Sequence, residues 1–257
     1  MSAFQAGRRS ILLLLAGVAA LTLPGCGVLG DSLPTYRYRL TVEVETPEGL
    51  KTGSSVIEVR SGVGGKAAGP MAVYTTEVRG EAVTVDLGRR GLMFALLRSG
   101  DNVDWAGQAM MRGIVPDPSP EQRQAMKDPW RDAIKARYAK LLTMRGIYDM
   151  PREVDILGLR DNYPMLVRFR DIADPITVEQ VDPDDLARSF GEGVKLKRIT
   201  VQLTDDPVTT GIEKRLGWLG RTRGALVHIP ISQYPPSGTA LPLSATLTEL
   251  DFIQGGQ

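Results

Sequence analysis

Apolar and polar side chains alternate along the stretch from Tyr36 to Thr46. Charged residues or threonine stand between the members of the apolar set, which is Tyr36, Tyr38, Leu40, Val42 and Val44. Because successive side chains of a strand point to opposite faces, the pattern predicts a β-strand with one buried and one solvated face. A turn at Pro47-Glu48-Gly49 then predicts an antiparallel pair with a second strand over 54–60.

Shorter strand patterns follow in both halves of the chain. In the first half, after a glycine-rich loop over 62–70, strands are predicted over 71–78, 82–87 and 92–98. In the second half, strands are predicted over 165–169, 194–203, 225–231 and 246–253. Strands therefore dominate the chain on both sides of its middle.

One longer helix is predicted in the middle of the chain, from Pro129 to about Met144. Proline suits the first helical position, and Gly146 can end the helix. Apolar residues at helical spacing form an amphipathic stripe of Trp130, Ile134, Tyr138, Leu141 and Leu142. Because such a stripe faces other apolar groups, it predicts that Trp130 packs in the core.

Three shorter helices are predicted from capping and turn residues. Ser119 is a candidate N-cap for the first of them. The second begins with Asp182 as the N-cap and Pro183 at the first helical position, and it ends at Gly191. The third covers 209–218. These elements predict an α+β fold that is β-rich, with mainly antiparallel strands, one longer central helix and short helices.

Two organisations of the globular region over 36–257 remain open. One integrated domain would draw strands from both halves into a sheet on which the central helix packs. Alternatively, a β module over 36–107 precedes an α+β module over 108–257. The length suits either one large domain or two small ones.

The first 26 residues have the pattern of an export signal. Arg8 and Arg9 form a basic segment, and an apolar run of about 13 residues follows from Ile11 to Leu23. That run is too short to cross a hydrocarbon core of roughly 30 Å as a helix. Its length is typical of the apolar region of a signal peptide.

The sequence Leu23-Pro24-Gly25-Cys26 resembles the lipobox of bacterial lipoproteins. The resemblance implies that residues 1–25 are removed, that Cys26 receives a diacylglyceryl group and an N-acyl chain such as palmitate, and that 26–35 is a lipidated tether. Pro24 departs from the small residue usual at its position, and an ordinary cleaved signal with an incidental Cys26 is the alternative. Cys26 is the only cysteine, so an intramolecular disulfide is excluded. Two or more acyl chains hold a protein stably on a membrane.

The expected location is the bacterial cell envelope, with the protein lipid-anchored and facing the periplasm. Gly27 rather than aspartate follows the cysteine. In the lipoproteins that the lipobox resembles, aspartate at this position favours retention in the inner membrane, so the resemblance weakly favours the outer membrane. Arg8-Arg9 with nearby apolar residues also resembles a twin-arginine signal, so both twin-arginine and general secretory export remain open.

Charge argues against a nucleic-acid partner. Removal of residues 1–25, which hold Arg8, Arg9 and no acid, changes the formal net charge from +1 to −1. A nucleic-acid-binding domain is normally strongly basic. We therefore expect the partners to be the membrane, through the lipid, and an envelope protein.

His228 is the only histidine, so a histidine metal cluster is excluded and no metal site is expected. A Ser-His-Asp triad would need His228 as its base, but this residue lies in a predicted strand and no Gly-x-Ser-x-Gly motif is present. The glycine-rich segment from Gly62 to Ala67 lacks the serine or threonine that follows lysine in a phosphate-binding loop. No cofactor is predicted apart from the covalent lipid on Cys26.

Carboxylates are the remaining candidates for catalysis. Asp101 and Asp104 flank Asn102, and Asp205 and Asp206 are adjacent. Paired acids can act as general acid and base, but the separation of the carboxyl groups is a property of the fold. Turn formation and helix capping are the simpler interpretation of all four residues, as for the acids that follow Asp182.

Several segments resemble hypothetical proteins of proteobacteria: 38–42, 163–167, 182–187 and 209–214. The resemblance spans most of the region after the signal and implies no activity, so it carries no catalytic residue.

We therefore predict a non-enzymatic, lipid-anchored binding or assembly module. The alternative is a tethered periplasmic hydrolase that uses Asp101, Asp104, Asp205 and Asp206.

Overall fold

The computed structural model describes residues 30–64, 74–100, 102–156, 159–221, 224–230, 232, 236 and 239–255. The predicted signal peptide, Cys26 and Asp101 lie outside these residues. The α+β prediction is confirmed, because antiparallel strands predominate and one helix is much longer than the others.

Two larger sheets and one hairpin contain the strands. The six-stranded sheet has the order β12-β3-β2-β1-β11-β6, with bounds β1 Asp31–Thr46, β2 Gly49–Val63, β3 Tyr74–Glu81, β6 Ile147–Asp149, β11 Lys195–Leu203 and β12 Ile253–Gln254. The four-stranded sheet has the order β10-β9-β5-β4, with bounds β4 Val83–Asp86, β5 Leu92–Ala95, β9 Leu166–Phe169 and β10 Val178–Val181. The hairpin pairs β7 Glu153–Ile156 with β8 Leu159–Asp161.

The alternating stretch forms the centre of the six-stranded sheet. Its apolar set is buried, as the period of two requires, and Tyr38 lies opposite Ile57 of β2 on one side and Leu203 of β11 on the other. Both β1 and β2 are longer than predicted. Their pairing extends to Asp31 at the start of β1 and to Val63 at the end of β2. The long-range partner β11 comes from the second half of the chain, and so does β9, which pairs with β5.

The first five strands are divided between the two larger sheets. After β3 the chain leaves the six-stranded sheet, and β4 and β5 enter the other sheet. The two sheets come into close backbone contact at Gly53 of β2, where a Cβ atom would lie 2.2 Å from the carbonyl oxygen of Thr84 in β4. Only glycine allows this backbone contact, because any side chain would clash with the neighbouring strand.

The main core fills the space between the sheets. It contains the buried face of β1 together with Val83, Val85 and Met93 from the second sheet. Trp105 and Tyr138 close this core from the helical side, and both are essentially inaccessible to solvent.

A second core covers the opposite face of the four-stranded sheet. Phe94 points into it, whereas Met93 and Ala95 on either side point into the main core, as expected for a strand covered on both faces. Phe94, Phe169, Trp218 and Phe252 form a group of aromatic rings with centroids 5.5–6.4 Å apart.

Five α-helices are present in the described residues: α1 Trp105–Gln108, α2 Pro120–Gln124, α3 Pro129–Leu141, α4 Leu186–Phe190 and α5 Leu243–Thr246. The predicted cap of α2 is confirmed: Ser119 and Gln122 exchange hydrogen bonds in a capping box. α3 begins at Pro129 as predicted and ends at Leu141, close to the predicted position.

The prediction that Trp130 packs in the core is wrong. Its side chain is 68% exposed, whereas Ala133, Tyr138 and Leu141 of the same helix are buried. Trp130 lies in the first turn of α3, so helical spacing gives its direction around the axis but not whether a neighbour covers that end of the helix.

The predictions for the last quarter of the chain are largely wrong. The segment 209–218 contains only a 3-10 turn at Ile212–Lys214, and 225–231 forms no strand in its described part beyond one bridge between Ala225 and Thr248. In 246–253, α5 ends at Thr246 and a 3-10 turn follows at Glu249–Asp251. The only strand there is the two-residue β12, which begins at Ile253. The physical reason is local, because Asp251 accepts the Thr248 N–H at 2.7 Å and stabilises a turn where alternation predicted a strand.

The predicted start of α4 is also wrong by three residues. Asp182 accepts the Asp184 N–H at 2.9 Å and forms a turn through Pro183, while Asp185 is the actual N-cap. Gly191 ends the helix as predicted. Among the described residues, no helix is both long enough and apolar enough to span a membrane.

Candidate functional site

Asp104 lies on the surface immediately before α1. It is exposed, and its side chain does not cap the helix. Its backbone N–H donates to Asn102 Oδ1 at 3.1 Å, which forms a local turn. Among the described residues, no three acidic, histidine or cysteine side chains gather. Asp104, Asp205 and Asp206 therefore do not form one cluster, and Asp101 lies outside the described part.

Asp206 follows β11 and forms an ion pair with Arg39 of β1. Thr204 Oγ1 also donates to its carboxylate, at 2.9 Å. The hydrogen bonds from Thr204 and then from Arg39 lower the pKa of Asp206 below its ordinary value. A general acid needs the opposite shift, so these contacts suit a structural ion pair better than proton donation.

The pKa of Asp206 should rise toward its ordinary value when Arg39 is replaced by alanine. The ion pair stabilises the folded state above the ordinary pKa of an aspartate, and this contribution is lost as the pH falls through the lowered pKa. Titration of the Asp206 carboxyl carbon by NMR measures the shift. Arg198→Ala is the matched control, because Arg198 pairs with Glu43 instead, and it should leave the pKa of Asp206 unchanged.

Asp205 is exposed and lines a shallow cleft of about 180 Å³ beside Arg37 and Arg145. His228 is also exposed and lies outside any strand, so the predicted strand position is wrong. Across the ranges that the structure describes, no three His, Cys, Asp or Glu side chains gather as a metal site.

Two buried acids have structural contacts. Glu81 accepts the backbone N–H of Ile212 at 2.9 Å and so stabilises the start of a 3-10 turn, while burial raises the pKa of its carboxyl. Asp251 lies 3.6 Å from the guanidinium of Arg98, and both side chains are almost completely buried. These contacts fasten the C-terminal segment to the sheets.

A cleft with a partly apolar lining lies between α2 and α3. We call it the α2–α3 cleft; its volume is about 490 Å³, and its lining consists of Pro116, Asp117, Pro118, Gln122, Ala125, Met126, Ala136, Arg137 and Lys140. Known ligand-binding clefts have volumes of roughly 300–1,000 Å³ and combine apolar walls with a few polar groups. The cleft has both properties.

Arg137 of α3 binds the segment that precedes α2, which forms one wall of this cleft. Its Nη2 donates to the carbonyl oxygens of Met111 and Val115, the latter at 3.1 Å, and its Nε lies 3.3 Å from a carboxylate oxygen of Asp117. Desolvation lowers the pKa of the Arg137 guanidinium from its very high ordinary value. The contacts of Arg137 join the segment before α2 to α3.

The residues around the cleft have complementary roles. Met126 and Ala136 provide apolar surface, and Met adapts its shape readily to different side chains. Gln122 and Lys140 are exposed at the edge and can form hydrogen bonds. This arrangement can accommodate an apolar side chain of a peptide together with polar backbone groups.

The sequence analysis did not identify this cleft. The capping box at Ser119 and the start of α3 at Pro129 locate the two helices, but the cleft depends on how they pack. The contacts of Arg137 with Met111 and Val115 join positions separated by 26 and 22 residues. No periodicity within either helix contains that information.

Comparisons of the chain with protein-family models, curated proteins and solved structures found no match.

Proposed function

We propose that this protein is a lipid-anchored component of the bacterial envelope that faces the periplasm and binds an envelope protein without catalysing a reaction. The proposed anchor rests on Leu23-Pro24-Gly25-Cys26, and the outer membrane is favoured because Gly27 follows the cysteine. The observation that carries the binding role is the α2–α3 cleft.

The cleft supports a peptide segment as its occupant. Its apolar wall is bounded by prolines 116 and 118, whose carbonyl groups accept but whose nitrogens cannot donate hydrogen bonds. Polar groups stand at its edge, as is typical of surfaces that bind an apolar anchor side chain and hydrogen-bond the adjacent backbone. The wall is held by Arg137, which reduces the ordering that binding would require.

The hydrolase alternative stays a prediction. The contacts of Asp206 favour an ionised structural role, and Asp104 forms a surface turn. The binding module is preferred because it uses the α2–α3 cleft, whereas Asp205 lines a separate and smaller cleft and Asp104 lies on the surface.

A photo-crosslinking residue placed at Ala125 or Ala136 should capture one specific envelope protein in living cells. Both positions are exposed and line the cleft. The matched control is the same residue at Leu50, which is 51% exposed on the hairpin between β1 and β2. Mass spectrometry of the crosslinked bands identifies the partner.

Capture of the same protein at Leu50 would count against the cleft. Absence of any product from the cleft positions, in cells where a known envelope complex is captured, would count against the binding role. Cys26→Ala separates the anchor from the binding: it should move the protein from the membrane fraction to the soluble fraction. Density-gradient separation of the membranes then distinguishes outer from inner membrane.

A further inference from the structure

Trp130 is the most exposed of the large apolar side chains in the described residues. It is 68% accessible, whereas Trp105 and Trp218 are 0% and 7% accessible. Leaving an indole in water forgoes a large apolar burial. The indole combines an apolar ring with an N–H donor, a combination that favours the boundary between lipid and water.

Three contacts along α3 join the helix to the first residues of β1 and to Gly64, which follows β2. Lys135 Nζ lies 2.5 Å from the Asp31 carboxylate, and the Tyr138 hydroxyl donates to the carbonyl oxygen of Pro34 at 2.7 Å. Arg131 Nε donates to the carbonyl oxygen of Gly64 at 2.7 Å. Asp31 and Pro34 thus meet α3 in the same order along both elements, so the two N-terminal ends lie at the same end of the molecule.

The number of residues between Cys26 and Asp31 limits how far this end of the molecule can lie from the proposed lipid. Five residues lead from Cys26 to Asp31, and they reach at most about 18 Å when fully extended. Trp130 precedes Lys135 by five helical residues, which is about 7.5 Å along the axis. The opposite end of β1, at Thr46, is roughly 50 Å from Asp31, because a strand rises about 3.3 Å per residue.

We propose that Trp130 inserts into the headgroup region of the membrane that holds Cys26. The inference rests on the proposed lipid anchor and deepens it: the protein docks on the bilayer with the N-terminal end of α3, and the hairpin at Thr46–Gly49 points away. Trp130 is then a second point of contact besides the acyl chains, and the orientation of the domain is fixed.

The contact is interfacial rather than electrostatic. Arg131 is paired with Asp128 at 2.6 Å and Lys135 is paired with Asp31, so these two cations are neutralised by nearby acids. Lys127, three residues before Trp130, is exposed, but an indole at the lipid–water boundary does not require anionic lipid. Docking should be the same on zwitterionic vesicles as on vesicles with added anionic lipid.

Fluorescence quenching by brominated lipid tests the proposal. The acylated full-length protein is reconstituted into phosphatidylcholine vesicles with or without bromine on the acyl chains. The fluorescence of Trp130 is the difference between the emission of the unmodified protein and that of Trp130→Phe. Trp105 and Trp218 are buried and contribute equally to both proteins. The expected result is loss of most of that signal in brominated vesicles, with a blue shift relative to the Cys26→Ala protein in solution.

A matched control places the same fluorophore at the other end of the molecule. Leu50→Trp in the Trp130→Phe background should keep its full emission in brominated vesicles. An unquenched Trp130 signal in protein that floats with the vesicles would overturn the docking while leaving the anchor intact. If mass spectrometry of the protein isolated from cells finds Cys26 without acyl chains, the proposed lipid anchor is wrong, and the docking proposal that rests on it is wrong too.

Discussion

Replacing Trp105 by alanine should lower the free energy of unfolding by about 3–5 kcal/mol. The side chain is fully buried in the main core, and its Nε1 donates to the backbone oxygen of Asn162 at 2.9 Å. Alanine removes the ring, leaves a cavity in a close-packed region and deprives a buried carbonyl of its donor. Urea unfolding followed by circular dichroism measures the change without relying on tryptophan fluorescence.

Trp130→Ala is the matched control for this loss. It makes the same chemical change at a position that is 68% exposed in the same protein. Surface substitutions usually change stability by no more than about 0.5 kcal/mol. Equal destabilisation by the two variants would contradict the assignment of Trp105 to the core and of Trp130 to the surface.

Asp251→Ala should be the second strongly destabilising change, with an expected loss of about 3–5 kcal/mol. The Arg98 guanidinium would remain buried without the carboxylate that lies 3.6 Å from it. The same substitution removes the acceptor for the Thr248 N–H and so weakens the 3-10 turn before β12. Chemical unfolding of the purified protein measures the loss.

A double-mutant cycle separates the ion pair from the turn. Arg98→Leu combined with Asp251→Ala should cost less than the sum of the single changes, because neither charge is then left unpaired. Asp206→Ala is the surface control, since its partner Arg39 remains accessible to water, and it should change stability only slightly. Simple additivity of the two buried changes would show that Arg98 and Asp251 do not interact.

The sequence predicted local structure well where one period dominated. Alternation from Tyr36 to Val44 identified β1, and Ser119 with Pro129 located the starts of two helices. It predicted the pairing of β1 with β2. It did not predict the pairing of β1 with β11 or the transfer of β4 to another sheet, because these depend on distant segments. Near the C-terminus, the turn held by Asp251 replaced a strand that alternation had favoured.

The candidate site shows the same limit. The sequence places Asp205 beside Asp206, but the cation that lowers the pKa of Asp206 comes from β1, 167 residues earlier. Helical spacing placed Trp130 on the stripe of α3, yet whether a neighbour covers that position depends on tertiary packing. The α2–α3 cleft likewise involves tertiary contacts, such as those by which Arg137 joins α3 to the segment that precedes α2.

The position of β11 has a consequence for biogenesis. The ion pair between Glu43 and Arg198 joins strands 155 residues apart, so one edge of β1 has no partner until the last quarter of the chain has appeared. Under the proposed export through the general secretory route, β1 would cross the membrane well before β11. Open strand edges can template pairing between chains. Under that proposal, crowding of newly delivered chains should raise intermolecular β-pairing before the sheet is complete.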